Sequence, residues 1–149
     1  MFDRVFPTKF DNDYRGWRAA IWLFVPLVLL RLLMGANMMW HPADIAATAD
    51  NMPLSLYGGG GAQTVISLFA QIGLYRLLLA LLAVLALVRY RNMIPLLYLL
   101  LLAELLGSRM LDQFYPIAKA TAQAGSTLIL GLLALAIVGF AASLLPRRS

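Results

Sequence analysis

The sequence predicts an all-α fold, a four-helix transmembrane bundle with both termini cytoplasmic and an interfacial arm ahead of the first helix. Three observations predict it. First, the 149-residue chain is 62% hydrophobic and 13% charged, with a mean hydropathy of +0.80, whereas a soluble domain carries roughly a quarter charged residues. Second, four apolar stretches, Ala19–Trp40, Ala62–Val88, Met93–Leu111 and Ser126–Leu145, each approach the ~20 residues a helix needs to cross hydrocarbon. None alternates with period two, which argues against a barrel. Third, the basic residues segregate. Arg4, Lys9, Arg15 and Arg18 precede the first stretch, Arg89 and Arg91 separate the second from the third, and Arg147 and Arg148 close the chain. Four crossings put all of these on one side and leave Lys119 and the boundary residue Arg109 on the other. Positive residues mark the cytoplasmic side. The net charge of +5 is therefore a topology signal with an attraction to anionic headgroups, and no nucleic-acid partner is read from it.

Residues 1–18 form the arm. Phe2, Phe6, Phe10, Tyr14 and Trp17 alternate with charged residues, and Pro7 interrupts any long helix. Aromatic rings beside Lys and Arg suit the headgroup layer, so an interfacial collar is expected, with a docking arm for a partner as the alternative. Residues 19–145 then make a single four-span membrane domain, and 146–149 a cytoplasmic tail. The first apolar run is too long for a signal-peptide core and carries Arg31, so it is expected to persist as a span. Pro26 within it removes one backbone hydrogen bond and should kink the helix.

The external loop 41–61 begins with His41-Pro-Ala-Asp44, which can open a short surface helix, and closes with Gly58–Gly61, expected to be a flexible tether. Only Arg89–Asn92 separate the second and third spans, predicting a tight antiparallel hairpin. Asn92 is the expected N-cap and Pro95 suits the first helical turn. A second external loop covers 112–125. The fourth span is uncharged, and its Gly131, Ala134, Gly139 and Ser143 would allow close helix approach.

Three charges lie within the spans. Arg31 is twelve residues beyond Ala19, Arg76 twelve before Val88 and Glu104 eleven beyond Met93. At ~1.5 Å per residue each sits about 17 Å deep, close to the midplane. A charge there costs several kcal/mol and ordinarily faces protein, pairs, or serves a function. Arg76 and Glu104 are equidistant from Tyr90, and an Arg76–Glu104 ion pair is expected. Two arginines then share one carboxylate. Either Glu104 bridges both, or Arg31 pairs with Asp112, a lipid phosphate, a partner subunit or the head of a bound small molecule.

Helical phase aligns Glu104, Ser108 and Asp112 on one stripe, and Arg31 with Gly35 and Met38 on another. Arg31, Ser108 and Asp112 are the candidate ligand or partner site. Gln63, Ser67, Gln71 and Tyr75 form a polar face on the second span, nearly opposite Arg76, so that helix is either central or shared with a partner.

Catalytic motifs are absent. With no cysteine, disulfide relays, thiolate zinc sites and Fe–S clusters are excluded. One histidine cannot give bis-histidine haem ligation, and His41 with Asp44 lacks a third ligand, so no metal site and no resident cofactor are expected. A quinone or a lipid remains open as a bound molecule.

An arginine in the first span (Leu29-Leu-Arg-Leu-Leu-Met-Gly35), another opening a leucine-rich second span (Tyr75-Arg-Leu-Leu-Leu-Ala80) and a short basic turn resemble the DoxX-like small bacterial four-helix membrane proteins. The resemblance implies a bundle in a bacterial inner membrane, near a redox complex that interacts with quinone, and it carries over no catalytic residue. The leading expectation is a non-enzymatic accessory or assembly subunit, with other membrane subunits, a second copy and the lipid bilayer as its partners. A small-molecule or anion binding or transport protein built on the Arg/Glu layer is the alternative.

Overall fold

The computed structural model describes residues 5–49, 51–115 and 126–145, and among these the chain is helical with no strand. Four long helices dominate: α1 Arg18–Trp40, α2 Gly59–Arg89, α3 Ile94–Phe114 and α4 Ser126–Leu144. Three segments, Arg18–Trp40, Gly59–Arg89 and Arg91–Phe114, are long and apolar enough to cross a membrane, and Ile129–Leu144 is a shorter apolar helix. Large apolar side chains stay exposed along them, including Trp22, Leu33, Val88 and Val138. Such a surface is at home in hydrocarbon. Lys119 and most of the expected loop 112–125 lie outside the described residues, as do Phe2, Arg4 and the tail 146–149.

The packing is organised by α1. It lies along α2 and also against α4, while α3 packs on α4. Glycines permit the close α1–α2 crossing. A Cβ on Gly35 would stand 2.8 Å from the Leu77 nitrogen, and one on Gly73 would stand 2.5 Å from the Met39 nitrogen. Both contacts are to backbone, which cannot swing aside. The core joins Phe24 and Leu27 of α1, Ala83 and Ala86 of α2, Leu97 and Leu102 of α3, and Leu132 and Ala136 of α4. Tyr98, fully buried, ties three helices together. Its hydroxyl donates to the Ala20 carbonyl (2.8 Å), its ring meets Phe24 at a centroid distance of 4.7 Å, and Gly139 lies directly against it. Each buried aromatic pair of this kind adds about 0.5–1.5 kcal/mol beyond its buried area.

Several expectations are corrected. Although α2 and α3 are joined by the short turn Arg91–Met93, they touch little, and the tight hairpin is replaced by two helices splayed around α1. The reason is the pair of glycine contacts, which draws α2 onto α1, while Tyr98 draws α3 toward α1 and α4. Asn92 does not cap α3. Its Nδ2 donates to the Lys9 carbonyl (2.6 Å), and Pro95 sits in the first turn as expected. The glycine tether is largely helical: α2 starts at Gly59, and Thr64 Oγ1 donates to the Gly60 carbonyl (2.9 Å). α3 runs on to Phe114, so Asp112 lies in its last turn, outside any loop.

On α4 the buried small residues are Gly139 and Ser143, joined by Leu132 and Ala136, whereas Gly131 and Ala134 are exposed. The arm is only partly a collar. Phe6, Phe10 and Trp17 are exposed, but Tyr14 is buried, and the arm crosses to the α2–α3 turn through Lys9. Burial pushes the Tyr14 phenol above its ordinary range. Beyond α1, the short helix Pro42–Asp44 leads into a π-helical turn Ile45–Ala49. This segment folds back so that Ala46 and Met52 pack on Met38 and Phe69.

Candidate functional site

The site begins with three side chains delivered by three helices. On α1, the buried face that seats Phe24, Leu27 and Val28 continues through Arg31, Gly35 and Met38. Arg31 is only 9% exposed. On α2, the close approach at Gly73 brings Arg76, one turn away, beside Met38. On α3, Glu104 follows the buried positions Leu97 and Leu102 and faces α1.

Glu104 bridges both arginines, and the nearer partner is Arg31. Arg31 Nη1 donates to Glu104 Oε1 at 2.5 Å, whereas Arg76 Nε stands 3.5 Å from the same oxygen. The expected Arg76–Glu104 pair is thus the longer arm of a three-residue cluster. Of the two expected arrangements, Glu104 bridging both arginines is the one present, and α2 and α3 stand apart around it. α1 forms the floor of the cleft between them, and its arginine comes nearer to the carboxylate than Arg76 does.

Donors outnumber acceptors here. Two guanidiniums present about ten N–H groups, against about four acceptor positions on one carboxylate. Arg31 Nε is buried with no acceptor among the described residues, and Arg76 Nη1 reaches only the Met38 sulfur, at 3.5 Å. A thioether is a weak acceptor. The layer therefore carries one cation more than its anions balance, and unmade hydrogen bonds with it.

Two cavities meet at this cluster, and Arg31, Arg76 and Glu104 line both. One, of about 60 Å³, is otherwise apolar and runs between α2 and α3 over a floor of Phe24, Leu27 and Val28. The other, of about 360 Å³, continues along α3 past Ser108, Arg109 and Asp112. The candidate residues Arg31, Ser108 and Asp112 thus line one cavity together with Arg76 and Glu104. Ser108 is turned inward on its own helix, its Oγ donating to the Glu104 carbonyl (2.8 Å). The sequence marks Arg109 only as a boundary charge. Its Nε is likewise buried without an acceptor among the described residues.

Gln63, Ser67, Gln71 and Tyr75 are all exposed on the outer side of α2, away from the charged cluster. His41 Nδ1 lies 3.9 Å from Asp44 Oδ2, both exposed, and no group of three metal-ligating side chains occurs among the described residues. Sequence reasoning missed Met38 as a contact of Arg76, Gly73 as the residue that seats it, and Tyr98 as the tie across three helices. Gly73 has a visible signal, a lone glycine in a leucine-rich span. Tyr98 has none beyond being a polar-tipped residue at an apolar depth.

No family model, curated protein or solved structure matches this chain, and the chemistry of the site rests on its own residues.

Proposed function

We propose that this protein is a multi-pass protein of a bacterial inner membrane, crossing four times with both termini cytoplasmic, that binds a small anion at the Arg31–Glu104–Arg76 cluster. One observation carries the reading: two intramembrane arginines share a single carboxylate, with N–H groups left over beside a cavity of about 360 Å³. An uncompensated cation in a low-dielectric layer is costly. An anionic oxygen ligand supplies both the missing charge and the missing acceptors, and charge-assisted hydrogen bonds of this kind are about twice as strong as neutral ones. Ser108 and Arg109 extend the polar wall outward, giving a soluble anion a lined approach. The basic arm and the Arg89–Arg91 turn support the orientation.

The test is a titration of the purified protein with acetate at constant ionic strength, in buffer free of other carboxylates. A binding site gives a saturable rise in unfolding temperature, since a ligand selective for the native state stabilises it by mass action. A flat response sinks the reading.

A second reading, an accessory or assembly subunit of a larger complex, is favoured by one separate observation. The polar face Gln63, Ser67, Gln71 and Tyr75 is exposed among the described residues, and polar helix faces in lipid commonly bond to a neighbouring helix. Purification from native membranes followed by mass spectrometry tests it. A monodisperse monomer with no stoichiometric companion counts against it.

A further inference from the structure

The apolar cavity narrows the chemistry of the anion. We infer that the ligand is a single-chain carboxylate, a fatty-acid anion whose head lies on Arg76 and Arg31 and whose chain lies in the cleft between α2 and α3. This rests on the anion site proposed above and adds the tail.

The charge at the cluster selects the head. Arg31 and Arg76 against Glu104 leave one positive charge uncompensated. One monoanion neutralises it, whereas a dianionic phosphate monoester overshoots. The free N–H groups are suited to a planar carboxylate, which arginine binds through paired hydrogen bonds.

The cleft selects the tail. Its walls run from Arg76 to Ala83 on α2 and from Leu97 to Glu104 on α3. Each wall is eight residues, which at ~1.5 Å per step is about 10 Å long. Both end at the charged cluster, so a head held there points its chain down the cleft. The free volume of about 60 Å³ is that of only a few methylenes, so the groove seats the head-proximal part of a single chain and the remainder lies along the exposed flank of Leu79 and Leu100. Leu79 and Leu100 flank the cleft and are also exposed on the outer surface, so the groove faces lipid and a chain enters sideways from the bilayer. The splay of α2 from α3 acquires a purpose on this account, since a tight hairpin would close the groove.

The test uses the protein in detergent and a palmitate analogue with a photoactivatable diazirine on the head-proximal half of its chain, mapped by peptide mass spectrometry. Labelling is expected to saturate, to fall on residues 79–83 and 97–101, and to be displaced by decanoate at far lower concentration than by acetate. Arg76→Gln should weaken it by about tenfold or more, the worth of a charge-assisted hydrogen bond. Ala80→Phe fills the cleft without touching the polar cavity. It should abolish labelling while the stabilisation by acetate persists. Should Ala80→Phe fail to fold, the chain-length competition in the unaltered protein decides. Unsaturable labelling spread over outward residues such as Leu33, Val88 and Val138 overturns the inference. If acetate still stabilises the protein in that case, the anion site stands and only the tail falls. If acetate has no effect either, both fall.

Discussion

Arg31 and Arg76 reach the same carboxylate oxygen by different routes, and their substitutions should differ accordingly. Arg31 is buried with Glu104 at 2.5 Å. Glu104→Gln removes the anion from between two cations, and breaking a buried pair in this way costs about 3–5 kcal/mol. The low end is expected because Glu104 is partly exposed. Thermal or denaturant unfolding in detergent measures it, and a loss under about 1 kcal/mol would mean the pair contributes little. Tyr14 gives a second prediction at this scale. Its phenol is held neutral by burial and titrates above its ordinary range. A raised folded-state pKa means this contribution is full below about pH 10, the unfolded value, and fades as pH climbs toward the folded one. Tyr14→Phe should cost less than about 1 kcal/mol, because its hydroxyl has no partner among the described residues, and should flatten the alkaline decline. Unfolding midpoints of the two proteins across alkaline pH check both points.

The site depends on how α2 is seated, and that is a matter of helices. Gly73→Ala places a methyl on the Met39 backbone, and overpacking of this sort costs about 1–3 kcal/mol. The same shift withdraws Arg76 from Met38 and Glu104, so acetate should stabilise this variant less than the parent protein. Equal stabilisation would show that Arg76 is placed by something other than this contact. Much of the helical layout was legible in the sequence, because apolar length and the depth of a charge follow from counting at ~1.5 Å per residue. Counting put Arg31, Arg76 and Glu104 in one layer. It could not say which helices pack closely and which stand apart. That arrangement is set by backbone contacts at Gly35 and Gly73 and by the reach of Tyr98, none of which has a periodic signature. The glycine run misled for a related reason. Each glycine costs a helix about 1 kcal/mol relative to alanine, yet a helix already propagating through 31 residues extends into it. Asn92 was read by local capping rules, and a tertiary contact with Lys9 claimed its side chain.

At the scale of the whole molecule, the three long apolar helices with their exposed leucines are compatible with a multi-pass membrane protein, whose surrounding solvent is hydrocarbon. The distribution of Lys and Arg is the basis of the orientation proposed above. Reporter fusions should place the segment 41–58 outside, and the Arg89–Arg91 turn and the C-terminus inside. An external C-terminus with segment 41–58 still outside would mean an odd number of crossings, whereas inversion of the whole pattern would reverse the polarity of the site. The two cavities lie on opposite sides of the charged cluster along the helices, the polar one toward the C-terminal end of α3 and the apolar one toward the Arg91 turn. The cluster therefore separates a wet half from a greasy half, which is the geometry an amphiphile requires.

The central claim is that the charged layer lacks one anion. Arg76→Gln tests it most directly through unfolding temperature with and without carboxylate. In carboxylate-free buffer, removing the uncompensated cation should leave the protein as stable as the parent or more so. Adding acetate should then raise the parent and leave the variant unmoved. A variant that is less stable than the parent by the same margin in both buffers would contradict the account and make Arg76 a structural partner of Glu104 alone.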